Sequence, residues 1–116
     1  MPTVIEHVVN KHVKVVYVCG DRSSYAIGDL PALPWCFKCV DRVSLGDTYV
    51  CWSEDIRVNE MVLRVEASKV KGSLRSIQFI LLNIDCGASP EEILSLVKKA
   101  ISDRCREAAD SEVAAN

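Results

Sequence analysis

Residues 61–70 read Met61-Val62-Leu63-Arg64-Val65-Glu66-Ala67-Ser68-Lys69-Val70, and residues 77–84, beyond Lys71-Gly72-Ser73, read Ile77-Gln78-Phe79-Ile80-Leu81-Leu82-Asn83-Ile84. In the first run Met61, Leu63, Val65 and Ala67 alternate with the polar Arg64, Glu66 and Ser68. That period of two is a β-strand with one apolar and one wet face. The second run is apolar at both parities apart from Gln78 and Asn83, which predicts an interior strand covered on both sides. Lys71-Gly72-Ser73 supplies the turn, because glycine tolerates positive φ. The two runs form a hairpin.

A helix follows Asp85-Cys86-Gly87. Ser89 suits an N-cap, Pro90 the first helical position, and Glu92 completes a capping box with Ser89. Ile93, Leu96, Val97, Ala100 and Ile101 share one stripe, opposite Ser95, Lys98, Lys99 and Ser102. Lys98, Lys99, Arg104 and Arg106 come late in this helix, where positive charge suits its dipole. The helix needs an apolar sheet face, that of Leu63 and Val65, and the face of Arg64, Glu66 and Ser68 is left open.

Upstream, Thr3 to Val9 and His12 to Cys19 are Val-rich runs separated by Asn10-Lys11, a hairpin signal. A metal shared by His7 and His12 across that hairpin is weighed against two ordinary imidazoles, and the ordinary reading is preferred. Further strands are expected at Tyr25 to Leu30, Trp35 to Val43 and Thr48 to Ser53. Pro31 and Pro34 bracket an irregular segment. Residues 107–116 are read as a fraying or disordered tail.

At 116 residues the chain makes one domain, 1–116, with 49% apolar residues and a formal charge of −2. No global positive field exists to hold nucleic acid, so any such role needs a local basic face. Neither an export signal nor a bilayer-spanning run is expected. The chain has six cysteines, read as mostly small buried hydrophobes, Cys51 and Cys105 above all. Trp35-Cys36-Phe37-Lys38-Cys39 resembles a redox motif, but the residues after Cys39 are too strand-like for the helix such a thiol needs. A zinc site would pair Cys36 and Cys39 with Cys51 and with Cys19 or a His, yet only one C-x-x-C is present. Phosphate loops and nucleophile–base patterns are not found, so no cofactor, no metal and no catalysis are expected.

The stretch from about Asp47 to Ile101 resembles the coat proteins of single-stranded RNA bacteriophages. Thr48-Tyr49-Val50-Cys51-Trp52-Ser53 stands where that family has a polar-alternating strand. Met61 to Val70 is similar to the strand after it, ending in an acidic residue, Ser, Lys and an aliphatic. Arg75-Ser76 through Asp85 resembles the last sheet strand, and Gly87 to Ile101 the entry into the helices. The short Val70–Arg75 connection, the Pro31–Cys39 segment and the number of cysteines depart from the family pattern.

The resemblance implies an α+β fold: an N-terminal hairpin, an antiparallel sheet of about five further strands, and C-terminal helix packing on a partner's sheet. It implies an obligate homodimer with contacts at Ile93, Leu96, Val97, Ala100 and Ile101, building an icosahedral shell in the bacterial cytoplasm. It implies genomic RNA on the inner sheet face, at Tyr49, Cys51, Ser53, Val62, Arg64, Glu66, Ser68 and Arg75, and no membrane. Two other functions fit the residues: a small inhibitor-type protein-interaction module, or a zinc-stabilised binding domain using Cys36 and Cys39.

Overall fold

The computed structural model describes residues 3–8, 13–20 and 23–115. The strands are β1 (Thr3–Val8), β2 (Lys14–Cys19), β3 (Ser24–Asp29), β4 (Asp41–Leu45), β5 (Thr48–Trp52), β6 (Ile56–Val58), β7 (Met61–Val70) and β8 (Ser73–Leu82), followed by α1 (Pro90–Ala115). They form one eight-stranded sheet in the order β1-β2-β3-β8-β7-β5-β4, with β6 pairing β7 beyond the end of β5. Every pairing is antiparallel. The fold is α+β, a large antiparallel sheet with one C-terminal helix. The N-terminal hairpin is continuous with the sheet, through β2–β3 and β3–β8.

The β7–β8 hairpin closes on Lys71 and Gly72, both at positive φ (51° and 82°), with Val70 paired to Ser73. A two-residue loop with positive φ at both positions matches the right-handed strand twist, which fixes the register. One bulge interrupts the ladder. Ser68 pairs Ser76 but Lys69 pairs Leu74, leaving Arg75 as the extra residue.

The helix begins as expected. Ser89 Oγ accepts from the Glu92 amide at 3.2 Å, and the Ser89 amide donates to Glu92 Oε2 at 3.4 Å. It runs to Ala115, so residues 107–115 are helical rather than a frayed tail. Lys98, Lys99, Arg104 and Arg106 therefore sit mid-helix, and its last turn carries no basic residue.

Ile93, Leu94, Val97 and Ala100 are buried among Val15, Tyr17, Ala26, Leu63, Val65, Phe79 and Leu81, with Leu96 and Ile101 packed at the margin. The stripe assigned to a partner's sheet thus lies on this chain's own sheet. Phe79 is fully buried and is paired with Gly28. A Cβ on Gly28 would come within 2.5 Å of the Phe79 ring, so only glycine leaves room for it there.

Two expected features differ. Residues 35–40 are irregular, and the strand expected from Trp35 begins only at Asp41. The six cysteines are not free thiols: Cys19–Cys86, Cys36–Cys105 and Cys39–Cys51 are disulfides. Cys51 and Cys105 are buried as expected, at 4% and 6% exposure, but they are bonded. Cys36–Cys105 ties the 31–40 segment to the helix, while Phe37 packs against the core. A chain of this size buries a modest core, and crosslinks separated by 67 and 69 residues restrict its unfolded state strongly.

Candidate interaction surface

Because strand side chains alternate, the register assigns every second residue to the face away from the helix. Two cross-strand rows there are almost wholly apolar. One runs Val4, Val18, Tyr25, Leu82, Val62 across β1, β2, β3, β8 and β7. The next runs Glu6, Val16, Ile27, Ile80, Arg64 across the same strands. Val4 and Leu82 are exposed, at 65% and 44%, and Val16, Val18, Tyr25, Ile27, Ile80 and Val62 are half-buried, with no helix or strand among the described residues packed over them. A contiguous apolar block on a sheet face is how interaction sites present themselves.

A polar belt follows: Asp29, Gln78, Glu66, Trp52 and Asp41 form the next row, and Ser76 with Ser68 the one after. Trp52 Nε1 donates to Glu66 Oε2 at 2.7 Å, which ties the indole to the neighbouring strand. Val50 and Val43 continue on the far side, and Leu45, 75% exposed, lies in edge strand β4.

The expected RNA residues divide between the faces. Val62, Arg64, Glu66 and Ser68 lie on the open face, in one line along β7. Tyr49 and Cys51 belong to the helix side, since Cys51 pairs Ala67 and Tyr49 pairs Lys69. Tyr49 Oη lies 3.5 Å from Cys39 Sγ, and Cys51 is bonded to that same sulfur. Ser53 Oγ accepts from the Val65 amide at 2.9 Å, so its hydroxyl serves the backbone. Arg75 is exposed at the bulge. Which of Tyr49 and Trp52 faces the open side depends on the register of β5, and that register puts Trp52 there, paired with Glu66.

The charges on the open face are matched. Arg64 Nε donates to Asp55 Oδ1 at 2.8 Å, and that bond holds the guanidinium charged more firmly than usual. Lys14 Nζ lies 2.8 Å from Glu6 Oε1. Glu66, Asp29 and Asp41 add negative charge, so no local basic face forms here.

Elsewhere, a cleft of about 520 Å³ opens between the 31–40 segment and the helix, with Phe37, Ile56, Val65 and Ile101 in its walls. Arg104 stands there, paired with Glu54 and lying 3.5 Å from Glu107. Cys36 and Cys39 give their sulfurs to disulfides and offer no thiolate for zinc. Among the described residues no three His, Cys, Asp or Glu side chains converge to hold a metal ion. His12, and hence the metal weighed for it with His7, lies outside the described residues. No helix among the described residues is long and apolar enough to cross a membrane.

Tyr25, Ile27, Ile80, Val16 and Val18 were not among the expected contacts. The signal for them was present: Val15-Val16-Tyr17-Val18 and Ile77 to Leu82 are apolar at both parities, though only one parity meets the helix. Comparison with family models, with curated proteins and with solved structures returns no match for this chain.

Proposed function

We propose that this chain is a structural protein that works by assembling with copies of itself, as coat proteins do, rather than by catalysis. The observation that carries this reading is apolar surface left uncovered after the chain has packed its own core: the open sheet face, and the edge strands β1 and β4. Val4 and Val8 are 65% and 71% exposed on β1, and every residue of β4 is exposed. Unpaired apolar edges invite another chain unless something covers them. The disulfides support a working life in oxidising surroundings, since cytosolic thiols are kept reduced. A shell outside the cell, closing its crosslinks after release, fits that chemistry.

A second reading adds RNA on the open face. It is favoured by Val62, Arg64, Glu66 and Ser68 lying in line with Trp52, whose ring could stack a base. The absence of net positive charge on that face weighs against strong phosphate contact.

The test is sedimentation and electron microscopy of the oxidised protein over a wide concentration range, alone and with a labelled RNA hairpin at several salt concentrations. Concentration-dependent assembly without RNA is expected. A protein that stays a monomer and gains mass only with RNA, with Arg64→Ala weakening binding and flattening its salt slope, would move the second reading to first place.

A further inference from the structure

We infer that the open sheet face pairs with the same face of a second copy, about a two-fold axis running along β3 between the two sheets. This rests on the assembly reading above and names the surface that begins it.

The argument is the pattern of the two apolar rows. β3 is their middle strand, with β2 and β8 one step away and β1 and β7 two steps away. An axis along β3 sets each residue over the one equally far on the other side. In one row Val4 then faces Val62, Val18 faces Leu82, and Tyr25 faces its own copy. In the other, Val16 faces Ile80 and Ile27 faces its own copy. Every residue in these positions is apolar.

The charges at the ends of the second row obey the same symmetry. Glu6 on β1 falls over Arg64 of the other copy on β7, and the reverse pair forms at the far end. Both side chains are about half exposed, 55% and 47%, and so within reach of a second copy. Each stands beside an own-chain partner of opposite sign, Lys14 and Asp55, so the facing clusters are neutral and no net charge is trapped. Asp29 lies on the axis one row further, and two facing carboxylates mark where the contact ends.

Size sets the strength. With strands about 4.8 Å apart and about 6.8 Å between same-face residues, the block covers roughly 24 Å by 14 Å. That is less than the ~800 Å² per partner of a standard stable interface, so the contact belongs to the weak, reversible class. Facing sheets would sit about 10 Å apart, with β3 running parallel to its own copy across the axis.

The test uses full-length oxidised protein and sedimentation equilibrium. Glu6→Lys alone sets Lys over Arg64, and Arg64→Glu alone sets Glu over Glu6; each should weaken dimerisation by roughly tenfold. Mixing the two variants should restore it, because both contacts in the mixed dimer are again opposite in sign. Loss of the own-chain pairs to Lys14 and Asp55 cannot produce that rescue. Ile27→Glu, on the axis, should leave a folded monomer. Dimers indifferent to all three variants would overturn the open-face pairing while leaving self-assembly through the edges standing. A wild type that stays monomeric at every concentration would overturn both this inference and the assembly reading.

Discussion

The two faces of this sheet are made by the same strands, and in β8 even by neighbouring residues, yet they end in different states. Ile77, Phe79 and Leu81 lie under the helix at 9%, 0% and 0% exposure, while Ile80 is half-buried and Leu82 is 44% exposed. The chain supplies one amphipathic helix, and one helix can cover one face. The apolar residues of the other face are therefore not needed to close this chain's core. That difference separates what folding requires from what association uses.

The largest expected effect tests that separation directly. Phe79→Ala should cost about 3–5 kcal/mol, since it empties the centre of the core beside Gly28. Ile80→Ala, one residue on, should cost about 1 kcal/mol or less in dilute solution, where only half-exposed methyl groups are lost. Denaturant titration of both variants below the association range decides it. Similar losses would mean that the open face is already packed in the single chain, and the contrast would fail.

Next comes the staple that holds the cover in place. Cys36–Cys105 fastens the 31–40 segment to the helix on the buried side. Replacing both cysteines with alanine should lower stability by about 2–4 kcal/mol and release Phe37, with the strands retained. An unchanged melting temperature would show that helix packing alone secures this face. Cys36→Ser with Cys39→Ser should cut two crosslinks and strand the thiols of Cys105 and Cys51.

How much of this could be read in the residues follows from the range over which each is determined. The capping box at Ser89 and Glu92, the Lys71-Gly72 turn and the alternation in β7 are decided within a few positions, and all are present. The helix side of the sheet, that of Leu63 and Val65, was legible for the same reason. Which face Tyr49 and Cys51 take depends on how β5 registers against β7, which local sequence does not encode; the register puts them on the helix side. The disulfides were illegible, since six cysteines allow 15 pairings and only the fold brings Cys36 to Cys105. The two-sided apolar pattern of β8 predicted cover on both faces, whereas the face of Ile80 and Leu82 is open. It did not reveal that the chain would provide only one.

The smallest effect concerns how dry the covered face is where the helix begins. Tyr17 lies on that face at 4% exposure, and its phenol is pushed up to about 12 by burial, then by the nearby charges of Glu91 and Glu92. All three causes disfavour the phenolate, whereas an unfolded chain ionises this group near pH 10. Below pH 10 both states keep the proton and stability does not depend on it. Between pH 10 and about 12 the unfolded state alone loses the proton, so stability falls as pH rises, on the order of 2–3 kcal/mol in total. Lysine titration acts in the same range, so the informative quantity is the difference between wild type and Tyr17→Phe. Wild type should lose more stability over this interval, and its phenolate absorbance should show one tyrosine ionising only near the unfolding transition. Parallel stability curves for the two proteins would mean that water reaches Tyr17, and that the helix N-terminus seals its face less completely than the core around Phe79.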